Sequence, residues 1–149
     1  MMNGYTNQYL TNTVHSASPE QLMLMLYDGA IRFVALGIQA IDNGLIDKRA
    51  YYINKTSAII SEFSATLDHN LNPQLAQDLD ALYTYMLNRL MTANLKNDTA
   101  PLMEVKTMLT DLRMTWSKAI EINKQEMREA AGVEPIAAGM QYKPLAAAM

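Results

Sequence analysis

Two histidines, no cysteine and a scatter of carboxylates are the groups from which this 149-residue chain would have to build catalysis or metal binding. A di-metal site in a helical bundle wants Glu-x-x-His on two helices. Thr66 stands three residues before His69, and His15 lies in a polar N-terminal stretch, so that ligand set is missing. Histidine phosphotransfer needs an imidazole exposed along a helix face. His69 falls instead at the expected end of a helix, where capping the last carbonyls is the simpler role. No Gly-x-Ser-x-Gly elbow and no Gly-rich phosphate loop occurs. Without Cys there is neither a thiolate metal site nor a disulfide framework, which fits a reducing compartment. The chain reads as a non-enzyme with no cofactor and no metal.

Composition narrows the partners. A formal net charge of −3 argues against a nucleic-acid surface. No Lys/Arg-led apolar segment opens the chain, so no secretory signal is expected. Twelve Met is a high count for this length, and eight Tyr carry most of the aromatic content. Met fills irregular gaps in cores and also lines adaptable binding surfaces.

The elements that position these residues start at Ser18-Pro19. Ser18 is an N-cap candidate, Pro19 fits the first helical position, and Gln21 can close a capping box. The helix expected over Pro19 to Asp42 is apolar nearly all round: only Gln21, Asp28, Arg32 and Gln39 share a polar strip. A helix of that girth is buried on several sides or binds something. It is long enough to span a membrane, but Asp28 and Arg32 lie inside it as an expected i,i+4 pair, so no stable membrane insertion is expected. Gly29 sits within the helical pattern and reads as a close-packing site. Asn43-Gly44 stops this helix, and Asp47 is expected to cap a second one from Lys48 to His69. Its apolar set is Tyr52, Ile53, Thr56, Ile59, Ile60, Phe63 and Leu67.

Asn72-Pro73 repeats the cap-then-proline signal and opens a third helix to about Lys96. Its stripe is Leu75, Leu79, Leu82, Met86, Leu90 and Ala93, with Tyr83, Leu87, Met91 and Asn94 as a second row. Asp98 or Thr99 caps a fourth helix, with Pro101 in its first turn and a stripe through Leu102, Val105, Leu109, Leu112, Trp116, Ala119 and Ile120. It ends near Ala131-Gly132. Long helices joined by short turns imply an all-α antiparallel four-helix bundle. The expected division is an extended N-terminal arm over 1–18, the bundle over 19–132 and a flexible tail over 133–149. The first and third helices carry more apolar surface than a bundle needs. A partner helix or a second copy has to cover the excess.

The order and spacing of several short stretches resemble the FliS family, the flagellin-specific export chaperones of bacteria. They are Tyr9-x-x-Asn12-x-Val14, Ala17-Ser18-Pro19-Glu20-Gln21-Leu22 and Met25-Leu26-Tyr27-Asp28-Gly29-Ala30. Leu82-Tyr83-x-Tyr85-Met86, Leu90-x-x-Ala93-Asn94-x-x-Asn97-Asp98 and Leu112-Arg113-x-x-Trp116 follow. The resemblance implies a cytoplasmic helical bundle that binds the C-terminal helical segment of flagellin, prevents its early polymerisation and delivers it to the flagellar type III export gate. It ties the arm tyrosine, here Tyr9, to the groove and to the gate. In some bacteria of the family a flagellar assembly factor acts beside the chaperone. The partner-binding candidates are Tyr9 and Val14 in the arm, Met23, Tyr27, Ala30 and Ile31 on the first helix, and Tyr83, Met86, Leu87, Leu90 and Asn94 on the third. A monomer or weak homodimer is expected when free. Two other readings stay open: a homo-oligomeric interaction bundle and a His-phosphotransfer module.

Overall fold

The structure, a computed structural model, describes residues 16–132, and those residues form four helices with no strand among them. They are α1 (Pro19–Asp42), α2 (Ile46–Ala65), α3 (Pro73–Lys96) and α4 (Ala100–Ala130). Tyr9, Val14, His15 and the tail after Gly132 lie outside the described residues.

The cap signals at α1 and α3 place both helices. Ser18 Oγ accepts from the Gln21 N–H at 3.2 Å while the Gln21 side-chain oxygen accepts from the Ser18 N–H at 3.0 Å, closing the capping box. Asn72 accepts from the Leu75 N–H at 3.2 Å, with Pro73 following it. Gly44 supplies the left-handed residue after α1, at φ +69°, where a side chain would be strained. The Leu45 N–H then reaches the Ala40 carbonyl and the Gly44 N–H the Ile41 carbonyl, the two bonds of a Schellman stop.

That stop sets the start of α2. With Leu45 already folded back, the helix begins at Ile46 without a side-chain cap. Asp47 therefore sits inside the first turn, where its carboxylate favours the helix N-terminus, and does not serve as the cap. The far end also differs from expectation. Thr66 turns its hydroxyl back onto the Glu62 and Phe63 carbonyls, α2 ends at Ala65, and His69 lies exposed in the following turn.

α1 packs on α2 and α4, and α3 packs on the same two helices. The helices thus occupy four corners in chain order, with α1 and α3 diagonally opposed. Turns this short make neighbours antiparallel. Each helix sends one large aromatic to the centre: Tyr27, Phe63, Tyr83 and Trp116, all buried. Tyr27 stacks on Phe63 with centroids 4.5 Å apart, and Phe63 meets Tyr83 at 5.7 Å. The Trp116 indole N–H donates to the Tyr27 hydroxyl oxygen at 3.1 Å, and the Tyr27 and Tyr83 hydroxyls share a hydrogen bond of 3.1 Å. Gly37, not Gly29, is the tight helix crossing. A Cβ at Gly37 would stand 3.4 Å from Leu102, whereas one at Gly29 would meet only Ile59 at 3.7 Å.

By length and composition α1 alone among the described helices would pass for a membrane span, with mean hydropathy 1.4 in its most apolar window. Here two neighbouring helices flank it, and its Asp28 carboxylate meets Arg113 of α4.

Candidate functional site

The core takes a row from α1 that runs Met23, Tyr27, Ala30, Val34, Gly37 and Ala40. A helix that buries one row exposes the flanks beside it. On one flank Leu24, Ile31 and Ile38 recur every seven residues and are only partly buried. They border α4. Leu24 shares a cleft of about 350 Å³ with Gln21, Met25, Asp28 and Arg113, and Ile38 shares one of about 440 Å³ with Met103, Lys106, Thr107 and Thr110. On the other side of α4, Glu104 faces α3 through Tyr85 and Arg89. Met108 and Leu112 follow it at i+4 and i+8 on that face, and Leu75 and Leu82 lie partly buried on α3. α4 is thus flanked by two seams with half-buried aliphatic edges.

The candidate residues divide by depth. Met23, Tyr27, Ala30, Tyr83, Met86 and Leu90 are buried in the bundle interior. Ile31 stands in the α1/α4 seam and Leu87 is half-buried on α3. Asn94, also half-buried, accepts from Arg49 Nε at 3.0 Å, and Arg49 reaches Asn97 at 2.8 Å, which ties the start of α2 to the end of α3. Because α1 and α3 are diagonal, their surplus rows cannot line one groove together: Ile31 borders α4, while the Leu87–Asn94 row of α3 lies toward α2, where Asn94 meets Arg49. Leu24, Ile38, Met108 and the Asp28–Arg113 pair were not among the candidates. The seven-residue spacing of 24, 31 and 38 is the signal that marks the first two.

Polar groups cross the seams at two places. Arg113 donates to Asp28 through Nε at 2.6 Å and through an Nη at 3.3 Å. This replaces the expected Asp28–Arg32 pair, and Arg32 instead lies 5.6 Å over the Phe33 ring. The Asp28 hydrogen bond raises the Arg113 pKa further, with burial opposing it. In the α3/α4 seam, hydrogen bonds from Tyr85 and from Arg89, the latter at 2.8 Å, hold the Glu104 carboxyl below its usual range. Deeper in, burial pushes the Tyr27 and Tyr83 hydroxyls up. These groups are structural ties. Among the described residues no His, Cys, Asp or Glu side chains gather as a metal site.

Comparison with known proteins identifies the family. A family model described as "Flagellar protein FliS" matches residues 1–123. The chain is similar to the flagellar secretion chaperone FliS of Bacillus subtilis (strain 168), 38% identical over 133 residues, or 89% of this chain and 98% of that one. It is similar to the FliS of Campylobacter jejuni at 36% over 110 residues, covering 74% and 86% of the two chains. The FliS of Salmonella typhimurium is 32% identical over 115 residues, covering 76% and 85%. The resembling stretches carry Tyr27, Tyr83 and Trp116 to the centre of an all-helical bundle and Asp28 and Arg113 to its α1/α4 seam, and the chain belongs to the FliS family of flagellar secretion chaperones.

Proposed function

We propose that this chain is a cytoplasmic chaperone that holds the C-terminal helical segment of flagellin, keeps it from polymerising and hands it to the flagellar export gate. The observation that carries the reading is the pair of aliphatic seams beside α4. An amphipathic client needs a long apolar track for one face, and helix-in-groove docking is the mode that a bundle offers. α1 is 24 residues long, about 36 Å at 1.5 Å per residue, so the Leu24–Ile31–Ile38 edge is long enough for several turns of a client.

In this reading Ile31 touches the client in the α1/α4 seam, and Leu87 and Asn94 touch it outside the two seams, on the α2 side of α3. Met23, Tyr27, Ala30, Tyr83, Met86 and Leu90 act from behind, fixing the spacing of the seams. Tyr9 and Val14 contribute from the arm, and Tyr9 also takes part in recognition by the gate. A flagellar assembly factor is a further partner of the same complex, and the free chain is a monomer or weak homodimer. The test is co-purification with flagellin that keeps or lacks its last ~40 residues, a span of ~60 Å if helical. Retention of full-length flagellin and loss of the truncated form is the expected result. Equal retention of both would overturn the proposal.

A second reading, a homo-oligomeric interaction bundle, draws on Met91 and Leu95, which stand 61% and 80% exposed on α3. Size measurement with and without the flagellin C-terminal peptide separates the two. A dimer that persists unchanged with peptide present supports the second.

A further inference from the structure

The α1 edge of the α1/α4 seam is aliphatic on either side of one ion-pair crossing, while α4 adds Lys106, Thr107, Thr110 and Asp111 farther along, beside Ile38. Leu24 and Ile31 flank Asp28 on α1, and Arg113 reaches over from α4 to meet it. The side chains of Arg113 and Asp28 are 35% and 55% exposed, so the pair lines the seam in contact with water. An ion pair that exposed contributes little to folding. Its consequences change when something covers it.

A guanidinium has five N–H donors. Here Nε–H and one Nη–H are engaged by Asp28, and among the described residues the remaining Nη–H groups bond to no other residue. Each Asp28 oxygen accepts one of these bonds and keeps a further acceptor site. A helix docked in the seam strips water from those groups and has to replace it. An apolar side chain there satisfies neither partner. A lysine serves Asp28 and leaves Arg113 unpaired. A carboxylate serves Arg113 and is repelled by Asp28. A carboxamide fits both: its NH₂ donates to Asp28 while its carbonyl accepts from Arg113.

Resting on the proposed flagellin-binding function, we infer that the Asp28–Arg113 pair is the register-setting element of the client groove, and that it selects an amphipathic helix whose apolar stripe is interrupted by one Asn or Gln. The physics is that of a polar position interrupting an aliphatic helix edge, here Leu24–Ile31–Ile38. It weakens the interface slightly and penalises every sliding misalignment.

The experiment is a double-mutant cycle by calorimetry between the full chain and the C-terminal peptide of the cognate flagellin. Each Asn and Gln of the peptide is replaced by Leu in turn. Against the parent chaperone, one replacement is expected to weaken binding roughly tenfold. Against Asp28→Leu/Arg113→Met the same replacement is expected to cost nothing or to tighten binding. If that variant does not fold by circular dichroism, Asp28→Asn/Arg113→Gln serves, and the penalty is expected to shrink. A peptide that binds the parent with no amide coupled to the pair, or with a Lys or Glu coupled in its place, overturns this inference and leaves the flagellin-binding reading intact. A peptide that does not bind the parent overturns both.

Discussion

A tyrosine hydroxyl at the centre of a helical bundle needs partners, because an unpaired buried hydroxyl costs a few kcal/mol. Tyr27 receives the Trp116 indole N–H and shares a hydrogen bond with Tyr83, so residues from three helices are joined around one oxygen. Trp116 therefore carries both packing and polar satisfaction. Trp116→Ala is expected to destabilise the fold by about 3–5 kcal/mol; an unchanged melting temperature would remove it from the core. The same cluster predicts alkaline sensitivity. Burial raises the Tyr27 and Tyr83 pKa values above the ~10 they have in the unfolded chain. Below that pH both states keep the protons, and the stabilisation is fully present. Above it the unfolded chain loses protons that the folded one retains, so stability falls by about 1.4 kcal/mol per pH unit for each buried tyrosine. Tyr27→Phe is expected to lose stability at neutral pH, by about 1–3 kcal/mol, since Trp116 loses its acceptor. Its decline above pH ~10 is expected to be about half as steep as the parent's. Urea unfolding between pH ~9 and ~11 reads both, and equal slopes would mean that Tyr27 does not titrate with the fold.

At the scale of elements, the sequence was legible where it carried a local hydrogen-bonding signal. Ser18-Pro19 and Asn72-Pro73 each pair a side-chain acceptor with a residue lacking an N–H, and α1 and α3 occupy the spans those signals predict. α2 was less legible because its start is decided by the stop of α1. The Schellman bonds at Leu45 draw the chain into helix before Asp47 can cap it, and Thr66, not His69, closes the other end. The phase of burial was harder still. Apolar periodicity gives the width of a helix's buried face but not its centre, so Tyr83, expected in a flanking row, lies at the axis, while Leu82, expected in the main stripe, lies at a seam. A contact such as Asp28–Arg113 spans 85 residues of chain and leaves no local trace, so the nearer Arg32 looked the natural partner. Gly29 and Gly37 show the difference that burial makes to one residue type. A methyl at Gly29 meets Ile59 at ordinary contact distance, so Gly29→Ala is expected to stabilise by about 0.5–1 kcal/mol through helix propensity and unfolded-state entropy. At Gly37 the methyl would press on Leu102, so Gly37→Ala is expected to gain less or to destabilise. Paired thermal melts give the order directly. A Gly29→Ala protein that is less stable than the Gly37→Ala protein would contradict this ranking.

At the scale of the whole molecule, the diagonal placement of α1 and α3 makes α4 the shared wall of both seams, and an occupant of either seam contacts α4. The arm enters at the α1 end of this arrangement, since Ser16 and Ala17 help line the cleft that holds Leu24, Asp28 and Arg113. Tyr9 is seven residues upstream of Ser16, a reach of at most ~25 Å, so it can attain the upper part of a seam but not its full ~36 Å length. Under the proposed function most client contact then falls on the helices. Tyr9→Ala is expected to change affinity for the flagellin C-terminal peptide by less than about tenfold, or 1.4 kcal/mol. Its sign depends on whether Tyr9 competes with the client or touches it. A competing arm lowers apparent affinity by the fraction of molecules whose groove is free, so its removal tightens binding; a contacting arm does the reverse. Under the proposed function delivery is a separate step, because the gate would have to recognise a surface of the loaded complex. If that surface includes the arm, the same substitution lowers flagellin secretion far more than it alters binding. Calorimetry of the variant with the peptide, alongside secreted flagellin from cells carrying it, separates the two steps. Parent-level secretion would remove Tyr9 from gate recognition. Abolished peptide binding would make it a principal anchor and move the centre of the client site from the seams towards the N-terminal end of α1.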